Sequence, residues 1–103
     1  MAEVVYAPPA QADLERLSEF LLDSDPVAAL ATYDLITRAI AILAEHPLIG
    51  RPVADEHREL IISRGRSGYL ALYDVVERDD KVIILAIRHQ REAGRRPGGS
   101  PPE

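Results

Sequence analysis

Arg58-Glu59-Leu60-Ile61-Ile62-Ser63-Arg64, then Gly68-Tyr69-Leu70-Ala71-Leu72-Tyr73-Asp74-Val75-Val76, then Lys81-Val82-Ile83-Ile84-Leu85-Ala86-Ile87-Arg88-His89-Gln90-Arg91: three β-rich runs follow one another in this stretch. Each is rich in β-branched and aromatic residues and is bounded by charged or glycine turn signals. Arg64–Gly68 and Glu77–Asp80 are the connections, and such short links favour an antiparallel meander. Strand alternation sorts the faces. On the last strand Ile83, Leu85, Ile87 and His89 share one face and Val82, Ile84, Ala86 and Arg88 the other. On the middle strand Leu70, Leu72, Asp74 and Val76 oppose Tyr69, Ala71, Tyr73 and Val75. Neither face is cleanly polar.

Working outward, Glu3–Ala7 is a further short strand, stopped by Pro8-Pro9, and those prolines suit the start of a helix. Leu14, Leu17 and Leu21 then recur at helical spacing, with Phe20 beside them, so an amphipathic helix runs from Ala10 to about Asp23. Ser24-Asp25-Pro26 breaks and restarts it, with Asp25 as the cap and Pro26 at the first helical position. The second helix extends to about Glu45 and ends at Pro47. It carries Val27, Leu30, Leu35, Ile36, Ile40, Ile42 and Leu43, a set broad enough to predict burial on more than one side, between the sheet and the first helix. His46–Val53 reads as a loop whose apolar residues pack down. The expected fold is α+β, in the order β-α-α-β-β-β, with a two-helix antiparallel hairpin on one face of a small, mainly antiparallel sheet. Two helices cover one face only, which leaves the other partly apolar; a dedicated partner is the favoured cover, with the Leu48–Val53 loop or a homodimer as the alternative.

A chain of 103 residues is one domain, here 1–94, followed by a Pro/Gly-rich tail at 95–103 that has the composition of disorder. No uninterrupted apolar run reaches the ~18 residues of a bilayer span, and no basic segment precedes an apolar one as in a secretory signal. The absence of cysteine removes disulfides and thiol chemistry and fits a reducing cytoplasm. Charge is uneven. Residues 1–57 hold three basic and ten acidic side chains, a balance of −7, whereas residues 58–97 hold nine and six, a balance of +3. The sheet half is therefore a modestly cationic surface on an acidic protein of net charge −5, too acidic overall for general nucleic-acid binding.

His46, His57 and His89 have no metal-ligand spacing, and no serine sits in a nucleophile motif. No metal or cofactor is implied. What remains is an arginine set on the sheet and just beyond it. Metal-free RNA cleavage needs a base, a cation for the phosphorane and an acid. His89 or Glu59 are the titratable candidates, with Arg64, Arg66 or Arg88 as the cation. Arg88 and His89, being consecutive in a strand, point to opposite faces.

Several stretches together resemble the RelE/ParE superfamily, the toxins of type II toxin–antitoxin modules. They are Tyr6-Ala7-Pro8-Pro9-Ala10-Gln11-Ala12-Asp13-Leu14, Pro47-Leu48-Ile49-Gly50-Arg51-Pro52, Arg58-Glu59-Leu60, Gly68-Tyr69 with Tyr73, and Ile84-Leu85-Ala86-Ile87-Arg88-His89-Gln90-Arg91-Glu92-Ala93-Gly94. The resemblance spans about Val4 to Gly94. It implies the same helical hairpin on a sheet, and a cognate antitoxin, hence a hetero-oligomer, whose C-terminal segment covers the apolar sheet face near Tyr69, Ala71 and Tyr73. The superfamily divides into gyrase inhibitors of the ParE type and strongly basic, ribosome-dependent mRNA nucleases of the RelE type. A pI near 5.1 and one lysine favour the ParE-like reading, with no catalytic residues. Target contact is then assigned to Arg88, Gln90, Arg91 and Arg95, with Arg64, Arg66 and Tyr69 on the adjoining hairpin. If the chain is instead a nuclease acting on mRNA at the ribosome, Arg64, Arg66, Arg88 and His89 are the catalytic set. A third possibility is a non-toxic module that only binds an antitoxin.

Overall fold

A computed structural model of the chain describes residues 1–23, 25–63 and 68–89. Five strands and two helices form the α+β fold that the sequence predicts. They run in the order β1 (Glu3–Tyr6), α1 (Pro8–Leu22), α2 (Pro26–Ala41), β2 (Arg51–Pro52), β3 (Arg58–Ile61), β4 (Tyr69–Val76) and β5 (Lys81–His89). The sheet order is β1-β5-β4-β3-β2. β1 lies parallel to β5, and every other pair is antiparallel.

The helices begin where proline permits. Pro8 and Pro26 each occupy the first turn, where an amide N–H has no intrahelical partner to lose. The Asp25 carboxylate accepts the Ala28 N–H at 3.1 Å, as the cap position requires. α2 runs on into a 3-10 turn at Ile42–Ala44. α1 turns Ala10, Leu14 and Leu17 into the core, where they meet Ile36, Ile40 and Leu43 and, from the sheet, Tyr69, Ala71, Tyr73, Val82, Ile84 and Ile87. Beyond the end of β1, α1 also completes the sheet's hydrogen bonding: the Asp13 carboxylate accepts the Ile87 N–H of β5 at 3.0 Å.

Three expectations change. The alternation predicted for β5 fails at Leu85. Leu72 pairs with Ala86 but Tyr73 pairs with Ile84, so Leu85 is the extra residue of a β-bulge. The bulge shifts the phase, and Val82, Ile84 and Ile87 are all fully buried on the helix side, with Ile83, Ala86 and Arg88 on the other. Secondly, α2 is not sandwiched. α1 is the helix that lies on β5, with α2 packed against α1. Only Ala29, Ile36 and Ile40 of α2 are buried, and Val27 and Leu30 are 76% and 72% exposed. The segment Pro26–Ala44 is long and apolar enough by length and composition to cross a bilayer, although only 22% of it is buried. The run-based expectation missed this because Asp34 and Arg38 interrupt the run. Thirdly, the His46–Val53 segment has a pinned backbone but not packed side chains: Leu48 and Ile49 are more than half exposed, and Arg51–Pro52 adds an edge strand to β3.

Candidate functional site

The helices cover one sheet face. No helix covers the opposite face among the described residues, although Leu70 and Ala86 there are only 6% and 9% exposed, and the strand registers assign its residues in rows. His57 precedes β3 and lies beside Asp74, Glu59 pairs with Leu72 and Leu72 with Ala86, and Leu70 pairs with Arg88. A cavity of about 290 Å³ opens here, with Leu70, Leu72 and Ala86 as its floor and Asp55, His57, Glu59 and Arg88 among its walls. That is near the lower end of the size range for small-ligand clefts.

The charges around it are mostly committed. The Arg51 guanidinium holds Glu59 from the neighbouring edge strand, with Nε at 2.9 Å and the terminal nitrogen at 2.6 Å from one carboxylate oxygen. Arg58 points to the helix side, where it donates to the Leu48 and Gly50 carbonyls at 3.2 and 2.6 Å. Among the described residues, Arg88 is the arginine that lines the cavity, and it is exposed. His57 bonds through Nδ1 to the Asp74 carboxylate. With the proton on that nitrogen, Nε2 is left as an acceptor. The backbone beside the cavity is also unusual: Asp55 and Glu56 both have positive φ, 62° and 64°, a region that non-glycine residues seldom occupy.

The predicted site residues separate. Arg88 is on the face without helices. His89 lies on the helix side with Tyr69, their rings edge-on with centroids 5.2 Å apart, so Arg88 and His89 do not act together. The expected antitoxin surface of Tyr69, Ala71 and Tyr73 is inside the core, 8%, 0% and 0% exposed. The open face at those strands belongs to Leu70, Leu72 and Asp74. For the same reason Tyr69 cannot touch a target from this conformation. Arg64, Arg66, Gln90, Arg91 and Arg95 lie outside the described residues. Sequence reasoning missed His57 and Asp74. Their signal was a lone aspartate in the otherwise apolar row Leu70, Leu72, Val76, and a histidine at the start of the strand that pairs with it.

The family profile described as "ParE toxin of type II toxin-antitoxin system, parDE" matches residues 4–94. The chain belongs to this toxin family. Membership agrees with 39% identity to Toxin RelE3 of Caulobacter vibrioides over 92 residues, 89% of this chain and 98% of that protein. Toxin RelE1 of the same organism is 36% identical over 83 residues, 81% and 87% of the two chains. Among solved structures, the chromosomal ParDE system of P. aeruginosa shares the fold with a TM-score of 0.71 at 22% identity, covering 86% of this chain and 96% of the other. The RelBE2 toxin–antitoxin complex of Mycobacterium tuberculosis matches with a TM-score of 0.59 at 25% identity, covering 86% and 98%. Relatives of both ParE and RelE name thus share the RelE/ParE architecture found here.

Proposed function

We propose that this toxin acts in the cytoplasm by binding DNA gyrase through its open sheet face, and that a cognate antitoxin neutralises it by covering that face. The observation that carries the choice of target is the electrostatics of the cavity. Among the described residues that line it, Asp55 and Glu59, the latter held by Arg51, stand against a single arginine, Arg88. A surface that grips ribosomal RNA needs several cations free to replace counterions on phosphates. An acidic rim around an apolar floor suits a protein surface better. The antitoxin segment is assigned to the rim of this face at Leu72, Glu59 and Arg88, above a floor in which Leu70 and Ala86 are already only 6% and 9% exposed, so that its main effect is to occlude Arg88.

One arrangement favours the other reading, a metal-free mRNA nuclease. His57, oriented by Asp74, shares the open face with Glu59 and Arg88, which are the residue types that abstract a 2′-OH proton, protonate a leaving oxygen and hold a phosphate. The purified chain, assayed at matched doses in gyrase supercoiling and in a translation reaction read for mRNA cuts, separates the two. Inhibited gyrase with intact mRNA supports the proposal. Cut mRNA with untouched gyrase replaces it with the nuclease, with His57 rather than His89 as its base.

A further inference from the structure

We infer that the outward face of α2 is a self-association surface, whose occupant is the same helix of a second copy of this chain. This rests on neither reading of the target.

Pro26–Ala41 turns Ala29, Ile36 and Ile40 inward. At 100° per residue, the residues four apart at Leu30, Asp34, Arg38 and Ile42 form one continuous ridge on the other side. All four are exposed, Leu30 at 72% and Ile42 at 48%. Asp34 and Arg38 are the only charged residues between Pro26 and Ala41, and they pair with each other along the ridge at 3.0 Å. The order along it is therefore apolar, acidic, basic, apolar, symmetric about the level of Ile36.

That order is its own complement. Two such helices packed antiparallel about a two-fold axis level with Ile36 bring Asp34 of each copy to Arg38 of the other. The same operation sets Leu30 against Ile42 twice, and brings small, exposed Ala31 level with Ala41, which lets the backbones approach. Each charge then gains a second opposite neighbour, and the exposed apolar ends cover one another. A bilayer gives Asp34 and Arg38 no such partners. An unrelated protein surface would have to reproduce this spacing by coincidence.

The test is a charge swap read by sedimentation equilibrium of the purified full-length chain across about 1–200 μM. Concentration-dependent dimerisation is expected. Arg38→Asp alone, and Asp34→Arg alone, should each weaken it by about tenfold or more through like-charge contacts, and the double swap Asp34→Arg with Arg38→Asp should restore it to within about threefold. Circular dichroism and urea midpoints confirm that each variant is folded. A chain that stays monomeric throughout overturns the inference, as does a dimer indifferent to the single reversals, or a folded double swap that fails to recover. If the chain is monomeric and the single reversals instead weaken capture by the cognate antitoxin, or if α2 carries the chain onto lipid vesicles, the face belongs to that occupant and the inference is wrong.

Discussion

The Tyr73 hydroxyl and Gly50 are interlocked. The Gly50 N–H donates to the hydroxyl oxygen at 2.9 Å, and the hydroxyl donates onward to the Pro47 carbonyl at 2.7 Å. A Cβ on Gly50 would lie 2.5 Å from that hydroxyl and 2.8 Å from the Glu59 carbonyl oxygen. A strand in the middle of the sheet thus fixes the segment that leads into the edge strand, through one buried ring. Removing the hydroxyl with Tyr73→Phe leaves a buried amide unpaired and should lower stability by about 1–3 kcal/mol. Gly50→Ala should cost at least as much, since the Glu59 backbone cannot step aside. Urea unfolding of the two variants checks both.

Burial pushes the Tyr73 hydroxyl above its usual pKa of 10.0, against smaller lowering effects of the Gly50 N–H and Arg58. Burial, with Tyr33 adding to it, does the same to Tyr6. Both protons are held more tightly in the folded chain than in the unfolded one. Their contribution to stability is therefore complete below the unfolded value of about 10 and is lost as pH rises through the higher folded values. Urea midpoints measured from pH 8 to 11.5 should fall above pH 10, and the fall should be shallower in Tyr73→Phe.

His57→Ala divides the two target readings. A gyrase inhibitor should keep its potency within about threefold, because the imidazole is a half-buried partner of Asp74 and not an exposed contact. A nuclease should lose about 100-fold or more of its cleavage rate with its proton acceptor. Initial rates in the two assays decide.

Arg88→Glu places a third carboxylate on the cavity wall, beside Asp55 and Glu59, without touching the core. Target inhibition should drop by about tenfold or more under either reading, with an unchanged urea midpoint. Full inhibition by a folded Arg88→Glu chain removes the open face from the proposal.

Glu56 has φ near 64° without the short side chain that lets Asp or Asn tolerate that region. Glu56→Gly should therefore raise stability by several tenths to ~1 kcal/mol, after the entropy cost of glycine. Thermal unfolding checks this, and any loss of target inhibition in the same variant would show that the strained turn shapes the cavity.

Element order was legible in the sequence because each boundary has a local cause: Pro8-Pro9 and Asp25-Pro26 start the helices, and the strands announce themselves by composition. Face assignment was less so. A period of two holds only while the strand is regular, and nothing in Ile84-Leu85-Ala86 marks the bulge that moves Ile87 to the core side. The depth of α2 is not legible for a different reason. Hydrophobicity reports that a residue belongs out of water, not which molecule covers it, so Val27 and Leu30 look like core residues in a sequence. His57 and Asp74 are seventeen positions apart, and only the β3–β4 register joins them.

The parallel contact between residues 3–6 and residues 81–84 has a temporal meaning. β5 is the hub between β1 and β4, and it also carries Ala86 and Arg88 of the open face. During translation at about 5–20 residues per second, the nascent chain holds both helices for several seconds before the strand that α1 rests on exists. Contacts so distant along the chain form last and slowly. The open face therefore cannot form until β5 has been made and paired. Ala86 and Arg88 take their places on it only when β5 pairs between β1 and β4.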